Sequence, residues 1–359
     1  MKPLITALVD TYNHERYIEQ ALVSALEQGF SPAELEIVVV DDGSTDNTAS
    51  IIQKFEPRVR HIRKKNGGQA SAFNAGFAET SGEIVALLDG DDWWAEGKLA
   101  AVLKAFDQHP EAAAVSHAYY QFNEGAEEAK LFGPEKEILL NLATPDAAHA
   151  ALSAWAFLQT SALSVRRRLL EAVMPIPEVL VFSADSPIAI TAMAMGALVL
   201  PQPLSYYRFH SSNLYAVGAD REKLRRKSEI DEAMYEVLYP LLFRLGVSSA
   251  SASALLEQGA IEASRFRLRT FGGPRRKTFQ TEMRVFHSDF KKPSIGYLLF
   301  KYLVMGGATL LLPPQRFYQM RDWYARHNLG RFRGWFVRGG VELGGRLPEA
   351  DKGLPSRVK

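Results

Sequence analysis

The sequence predicts an α/β protein whose mostly parallel sheet is flanked by helices, followed by a helical C-terminal domain. Three observations carry this prediction. Short apolar runs alternate with segments of helical period over the first 120 residues, a pattern typical of parallel sheets with helices on both faces. Loops rich in aspartate follow those runs. After residue 218 the composition changes to long basic helical stretches, so we place the domain boundary between residues 218 and 219.

Four apolar runs rich in Val, Ile and Leu predict the first strands, the longer ones buried on both faces. They are Leu4–Val9, Leu35–Val40, Val59–Ile62 and Ile84–Leu88. Apolar residues at helical spacing between these runs predict the connecting helices. These helices contain residues 18–26, 51–55 and 73–77.

The chain between residues 160 and 200 predicts three more elements. Thr160–Val165 is a predicted strand, and the arginines at 166–168 begin a helix. Asp185 opens an apolar helix that continues through Met195, and Ala197–Leu200 is a predicted strand. Ligands of parallel sheets bind outside the carboxyl ends of the strands. The loops that follow the strands are therefore the predicted site.

Composition excludes several classes of protein. A chain of 359 residues suggests about two domains. With 47% apolar and 23% charged residues, it is neither disordered nor collagenous. The absence of cysteine excludes disulfides, a thiolate nucleophile and cysteine-ligated metals, and favours a reducing compartment. Because the first residues contain no apolar segment typical of a secretory signal, we expect a cytoplasmic protein.

The net charge of +1 hides an asymmetry between the two parts of the chain. Residues 1–220 carry 16 basic and 28 acidic residues, a net charge of −12, whereas residues 221–359 carry 26 and 13, a net charge of +13. Within the basic part, the apolar stretch 295–312 contains Lys301, and a lysine inside a spanning helix costs on the order of 3 kcal/mol. We therefore expect a helix that lies in a membrane surface or is buried in a helical domain.

The basic C-terminal part predicts a partner. Its arginines and lysines would attract anionic lipid headgroups, so we expect peripheral association with the inner face of the cell membrane. Nucleic acid is not an expected partner, because aromatic residues are sparse near the basic runs.

Aspartates follow three of the predicted strands: Asp10, Asp41, Asp42, Asp89, Asp91 and Asp92. Their side chains should converge at one edge of the sheet. Such a group repels itself unless a cation or the hydrogen-bond donors of a ligand offset the charge. Asp46 and Thr48 are better explained as turn and helix-capping residues.

Other catalytic schemes fit this sequence less well. It has no G-x-G-x-x-G after a strand, no G-x-x-x-x-G-K-[ST] loop and no G-x-S-x-G elbow. These absences count against dinucleotide oxidoreductases, P-loop NTPases and α/β-hydrolases. The eight histidines include no close pair at metal-ligand spacing, which counts against a zinc hydrolase.

Four blocks together resemble the family 2 glycosyltransferases, inverting enzymes with the GT-A fold that use nucleotide-sugar donors. The blocks are Val38–Asp46, Asn66–Gly76, Asp89–Trp94 and Tyr206–Asn213, the last similar to a Y-R-x-H-x-x-N element. The resemblance covers about the first 215 residues. It implies the GT-A fold and a place in the synthesis of cell-envelope polysaccharide.

The resemblance also implies a set of residues that bind the nucleotide-sugar donor: Asp10, Tyr12, Asp42, Gly67, Gly68, Asn74, Asp89, Asp92, Arg208 and His210. Asp10, Tyr12 and Asp42 would line the pocket for the base and ribose. Arg208 and His210 would face the diphosphate, for which charge-assisted hydrogen bonds are suited. A solvated turn is the alternative explanation for these two residues, and His210 has a further alternative role as a metal ligand.

Metal and base assignments follow from the same resemblance. Asp91, with Asp92 second, is implied to bind Mn²⁺ or Mg²⁺, and Asp185 is implied to be the catalytic base. Asp185 has an alternative explanation as a helix cap. Many relatives carry Glu-Asp at this place, where this chain has Ala184 before Asp185.

Four further residues near these blocks have open assignments. Trp93 and Trp94 are better explained by core packing than by sugar stacking. Thr160 and Ser161 have two alternative roles, contact with the acceptor or packing within the predicted strand.

The predicted function is metal-assisted, inverting transfer of a sugar from a nucleotide-diphosphate donor to a hydroxyl of a polysaccharide, lipid-linked saccharide or glycoconjugate. A nucleotidyltransferase that makes a nucleotide-sugar is one alternative. A non-catalytic sugar- or nucleotide-binding scaffold at the membrane is the other, and Ala184 keeps it open.

Overall fold

The computed structural model describes residues 4–125, 128–210, 221–289 and 306–326. The chain divides into two compact units, Met1–Arg267 and Leu268–Lys359. The first unit contains the sheet and all the predicted site residues.

Ten strands are present in the described residues: β1 Ile5–Thr11, β2 Leu35–Asp41, β3 Arg60–Arg63, β4 Ile84–Asp89, β5 Trp93–Trp94, β6 Ala114–Asn123, β7 Lys130–Phe132, β8 Ile138–Leu140, β9 Ser164–Arg166 and β10 Ala197–Phe209. The helices of the first unit are α1 Ile18–Leu26, α2 Thr48–Gln53, α3 Gln69–Glu79, α4 Lys98–Gln108, α5 Pro145–Ser153, α6 Arg167–Val173, α7 Asp185–Met195, α8 Arg221–Arg244 and α9 Ser249–Phe271, of which the last continues into the second unit. The second unit also contains α10 Arg275–Asp289 and α11 Pro314–Arg326.

The strands form one sheet in the order β3-β2-β1-β4-β9-β6-β10-β5, with β7 added to β6 and β8 added to β10. Pairs β3/β2, β2/β1, β1/β4 and β6/β10 are parallel. Strand β9 lies between β4 and β6 and is antiparallel to both. The predicted α/β class with a mostly parallel sheet and flanking helices is confirmed.

Both faces of the sheet are covered, as strands without polar alternation require. Ile18 and Leu22 of α1 and Leu99 of α4 pack on one face. Phe73 of α3 and Ile188 of α7 pack on the other. The first and fourth strands are therefore largely apolar on both faces, apart from buried Thr6 near the start of β1, and their carboxylates appear only where the strands end.

The strand register decides which polar residues are neighbours. Asp10 of β1 pairs with Asp89 of β4, and both lie at the carboxyl end of their strand. On the other side of β1, Thr11 pairs with Asp41. Two carboxylates thus lie side by side at the edge of the sheet.

Two predicted strands differ from the structure. Residues 160–162 form a 3₁₀ turn instead of a strand, and β9 begins only at Ser164. The turn forms because the Gln159 side chain accepts a hydrogen bond from the Ser161 amide. Strand β10 does not end before Pro201 but continues to Phe209. Its pairing with β6 shifts register around Pro203, because proline cannot donate to the ladder.

Helices α8 and α9 extend the core of the first unit. Leu238 and Leu242 of α8 and Leu255 of α9 are buried in the same apolar cluster as the sheet residues. The compact unit thus reaches Arg267, and the assignment of separate functions to residues 1–218 and 219–359 stays a prediction.

Residues 295–305 of the predicted apolar stretch 295–312 lie outside the residues that the structure describes. In the part of the chain that the structure describes, no helix combines the length and the apolar character that crossing a membrane requires.

Candidate functional site

The loop after β4 gathers carboxylates at the carboxyl edge of the sheet. Asp89, Asp91 and Asp92 each offer one oxygen, and these oxygens lie within 4.8 Å of one another. The turn is tight because the Asp92 amide donates to the Asp89 carbonyl at 3.0 Å. The Gly90 amide donates to the Asp10 carbonyl at 2.8 Å, which ties the loop to β1.

Asp10 and Asp89 form a mutually repelling pair. Burial raises the pKa of Asp10 to about 7, and nearby Asp91 and Asp185 add to the shift. Burial and the charge of Asp10 raise the pKa of Asp89 well above its usual range. Two buried carboxyls this close cannot both be ionised without a large cost, so their titrations are linked.

Asp91 differs from its neighbours because two histidines approach it. Its Oδ2 lies 3.1 Å from Nε2 of His210 and 3.7 Å from Nε2 of His14. Burial acts to raise the pKa of Asp91, but His14 and His210 outweigh that effect and lower it. Asp91 is therefore the ionised member of the cluster, and His210 stays within reach of a cation at the same oxygen.

Asp92 faces inward and holds the loop together. Its Oδ2 accepts a hydrogen bond from Ser161 Oγ at 2.6 Å, and its Oδ1 accepts one from the Arg208 amide at 2.7 Å. Burial and the charge of Asp91 raise the pKa of Asp92 well above its usual range. Asp92 is consequently less available to a cation than Asp91.

The cluster fits a hard divalent cation. Its ligand atoms are carboxylate oxygens, which Mg²⁺ and Mn²⁺ prefer. Among the described residues, Asp10 Oδ1 is buried and has no hydrogen-bond partner. A cation would supply positive charge where burial, and after it the charge of neighbouring carboxylates, raises the pKa values of Asp10, Asp89 and Asp92.

Asp185 is the first residue of α7 and reaches the same edge of the sheet. Burial raises its pKa to about 6, and Thr160 Oγ1 lies 3.4 Å from its Oδ2. The capping position of α7 is Ala184, whose side chain makes no capping hydrogen bond, and Asp185 lies one position further on in the first turn of the helix. The backbone before it is unusual, since Ser183 adopts a left-handed conformation with φ 59°.

Asp42 is engaged by its own chain. The amides of Gly67 and Gly68 donate to its carboxylate at 3.1 and 2.7 Å, and Lys64 Nζ donates at 2.7 Å. Gly68 has φ +86°, and a Cβ there would lie 2.6 Å from Val181 Cα. The absence of a side chain at Gly68 lets the loop pack against Val181. Donor binding by Asp42, Gly67 and Gly68 stays a prediction.

Two other predicted donor-binding side chains also bind within the chain. The Asn74 amide group pairs with both backbone polar groups of Ile176 at 2.8 Å. The Arg208 guanidinium donates to Gln20 Oε1 at 2.6 Å and to the Asp91 carbonyl at 2.9 Å. Tyr12, by contrast, is exposed. Donor binding by all three stays a prediction.

The structure brings in two residues that the motifs did not indicate. His14 follows β1, and its ring is oriented by Thr11 Oγ1 at 3.1 Å from Nδ1. Burial lowers the pKa of His14, and the charge of Asp91 opposes this effect. Gln69 donates to Asp89 Oδ1 at 3.3 Å and accepts from the Ala184 amide at 3.0 Å, so it joins the cluster to the start of α7.

Signals for both were present in the sequence. His14 lies in the loop that follows β1, and Gln69 begins the helix after the loop that follows β3, both at strand ends where functional side chains collect. Sequence spacing could not pair His14 with His210, because 196 positions separate them.

Several polar and aromatic residues have structural uses. Asp46 Oδ1 accepts from the Thr48 amide at 3.0 Å, as predicted for a turn. Trp94 is buried, and its ring nitrogen donates to the Ser161 carbonyl. Trp93 is half-buried and stacks on Tyr206 at 4.8 Å.

Comparison with known proteins gives the family. Residues 6–173 match the model of Glycosyl transferase family 2. An uncharacterized glycosyltransferase of Nostoc sp. (strain PCC 7120) is 34% identical over 257 residues, which cover 67% of this chain and 76% of that relative. Poly(ribitol-phosphate) beta-N-acetylglucosaminyltransferase TarS of Staphylococcus aureus is 34% identical over 108 residues, which cover 29% of this chain and 19% of TarS.

Solved structures agree on the fold. The crystal structure of S. aureus TarS 1–349 has a TM-score of 0.55 at 19% identity. The same residues of TarS in complex with UDP-GlcNAc have a TM-score of 0.54 at 21% identity, and each match covers 91% of this chain and 92% of the other. The chain therefore belongs to glycosyl transferase family 2, and it is a glycosyltransferase with the GT-A fold.

Proposed function

We propose that the protein transfers a sugar from a nucleotide-diphosphate donor to an acceptor hydroxyl, with inversion at the anomeric carbon and with Mn²⁺ or Mg²⁺ bound. The observation that carries this proposal is the meeting of the aspartate cluster with Asp185 at one edge of the sheet. Gln69 connects the two, because it donates to Asp89 Oδ1 and accepts from the amide of Ala184, the residue before Asp185. The adjacent residues Thr160 and Ser161 contact Asp185 and Asp92. One site thus combines ligands for a cation with a separate carboxyl for proton transfer.

Asp185 is the proposed base. Its carboxylate accepts the proton of the acceptor hydroxyl while that oxygen forms a bond to the anomeric carbon. The bond from this carbon to the donor diphosphate breaks, and the diphosphate leaves with the electron pair. A single displacement of this kind inverts the configuration. A pKa of about 6 leaves Asp185 ionised at pH 7 and still basic enough to accept a proton.

Asp91 is the proposed main ligand of the cation. Its Oδ2 faces His14 and His210, and its lowered pKa keeps it charged. A bound cation would offset the negative charge that builds on the departing diphosphate. Asp92, with both oxygens bonded to Ser161 and Arg208, is proposed to hold the loop that presents Asp91.

The donor and acceptor classes draw support from named relatives. A TarS structure with the same fold was solved in complex with UDP-GlcNAc, so UDP is the first nucleotide to test. TarS is named for transfer to poly(ribitol phosphate), which supports a polymeric or lipid-linked acceptor for this chain.

Calorimetric titration with UDP, GDP and dTDP tests the proposal directly. We expect one nucleotide to bind with Mn²⁺ present and to bind much more weakly in EDTA. The wild-type protein is compared with Asp91→Asn, which should lose the metal-dependent binding, and with Asp107→Asn, the same substitution at an exposed position of α4, which should bind normally. If none of the three nucleotides binds with Mn²⁺, the proposed donor class is wrong. Release of pyrophosphate from UTP and a sugar phosphate would instead support the nucleotidyltransferase alternative.

We also propose that the C-terminal part docks on an anionic membrane surface. Its net charge of +13 over residues 221–359 supports this, as do the exposed side chains of Leu310, Leu311 and Trp323. Some of these positive charges form ion pairs within the chain, as Arg267 does with Glu232 at 2.7 Å.

Vesicle flotation measures this docking. The protein should float with vesicles of anionic lipid at low salt, should dissociate at high salt, and should not float with neutral vesicles. Replacing Leu310 and Leu311 with serine should reduce the floated fraction. Absence of flotation at low salt would show that this surface does not bind lipid.

A further inference from the structure

The ring of Tyr17, immediately before α1, contacts two residues at the end of β10. The Arg208 guanidinium carbon lies over this ring, 4.6 Å from its centroid. The His210 ring lies 4.7 Å away, centroid to centroid, with a tilt of 33°. Tyr17 is half-buried, and its ring is the part of the side chain that makes both contacts.

Both neighbours of Tyr17 attach to the aspartate loop. His210 Nε2 lies 3.1 Å from Asp91 Oδ2. Arg208 holds the loop twice, because its amide donates to Asp92 Oδ1 at 2.7 Å and its Nε donates to the Asp91 carbonyl at 2.9 Å. The position of the Asp91 carboxylate thus depends on where Arg208 and His210 are held.

The contacts of Arg208 explain why a ring is needed at position 17. Its guanidinium also lies over Trp93, again at 4.6 Å, and donates to Gln20 on α1. A planar cation over an aromatic face keeps a restricted orientation. Removing the Tyr17 ring would leave a gap beside both Arg208 and His210, and the two side chains could then turn away from the loop.

We propose that Tyr17 is a positioning residue for the cation site. Its ring holds His210 directly and the aspartate loop through Arg208, so that Asp91 presents a carboxylate oxygen to the cation. The inference rests on the proposed metal assistance. It concerns the ring and not the hydroxyl, so phenylalanine should replace tyrosine without loss of Mn²⁺ affinity.

The test compares Tyr17→Leu with Tyr17→Phe. Each protein is titrated with Mn²⁺ alone, and the free ion is measured by electron paramagnetic resonance. The leucine variant should bind Mn²⁺ about tenfold more weakly, an effect of the size seen when groups that orient metal ligands are lost. The phenylalanine variant should stay within about twofold of wild type. Tyr120→Leu on β6 is the matched control, since this half-buried tyrosine stacks near Tyr206 and is expected to leave Mn²⁺ affinity unchanged.

Each outcome decides the matter. If wild type binds Mn²⁺, Asp91→Asn does not, and Tyr17→Leu binds like wild type, the role of Tyr17 is refuted while the metal site stands. If Tyr17→Phe is as weak as Tyr17→Leu, the ring is not the cause and the proposal is wrong. If wild type itself binds no Mn²⁺, metal assistance and the role of Tyr17 are both wrong. Should the leucine variant melt far below wild type, Tyr17→Met repeats the comparison.

Discussion

An Asp91→Asn protein is expected to lose Mn²⁺ binding and about 10³-fold in kcat, corresponding to roughly 4 kcal/mol of transition-state stabilisation. Asp91 carries the charge of the cluster, because His14 and His210 lower its pKa against the effect of burial. Asparagine preserves the shape of the side chain and removes the charge. Calorimetry with Mn²⁺ and steady-state turnover provide the two measurements.

The control for this substitution is Asp107→Asn, at an exposed position of α4. It should retain both Mn²⁺ binding and turnover. Urea denaturation should show that Asp91→Asn changes the free energy of unfolding by no more than about 1 kcal/mol, since relief of repulsion within the cluster opposes the loss of the histidine contacts. Normal Mn²⁺ affinity in a folded Asp91→Asn protein would contradict the assignment of Asp91 as the main ligand.

Replacing Asp185 with asparagine should lower kcat by about 10²- to 10⁴-fold, the range that general-base catalysis contributes. Burial raises the pKa of Asp185 to about 6. The base works in its deprotonated form, so the wild-type rate should fall below pH 6 and reach a plateau above it. Asparagine cannot accept the proton, and the residual rate of the variant should lose this acidic limb.

The pH profile is measured at saturating Mn²⁺. A bound cation lowers the pKa of a neighbouring carboxyl, so saturating Mn²⁺ should move the titrations of both Asp10 and Asp185 to lower pH, and the acidic limb of the rate should lie below pH 6. Asp146→Asn is the matched control, because Asp146 also lies in the first turn of a helix, α5, but is exposed. It should leave the rate and the profile unchanged. A wild-type rate in an Asp185→Asn protein would show that Asp185 is not the catalytic base.

The carboxyl-edge site could be predicted from sequence because its cause is local and repeats along the chain. Apolar strands such as β1 and β4 end where aspartate begins, and parallel strands bring their carboxyl ends to one edge. The register that pairs Asp10 with Asp89 completes what this pattern predicts. The family resemblance, which rests on residues in these loops, is confirmed for the same reason.

The use of individual side chains could not be read from the motifs. Asp42, Asn74 and Arg208 match family positions, yet each binds groups of its own chain. A motif records which residue stands at a position, whereas hydrogen bonding depends on which donors the folded backbone brings near. The amides of Gly67 and Gly68, for example, reach Asp42 only because the loop folds back on the end of β2.

By itself, the sequence determined the α/β class, the order of strands and helices up to β4, and the edge at which aspartates collect, because apolar period and strand ends are properties of short segments. Only the tertiary structure decided that His14 and His210 meet at Asp91, that Gln69 joins Asp89 to the start of α7, and that Tyr17 lies against Arg208. These contacts join residues far apart in the chain. Their existence depends on strand register and helix packing, which no local pattern encodes.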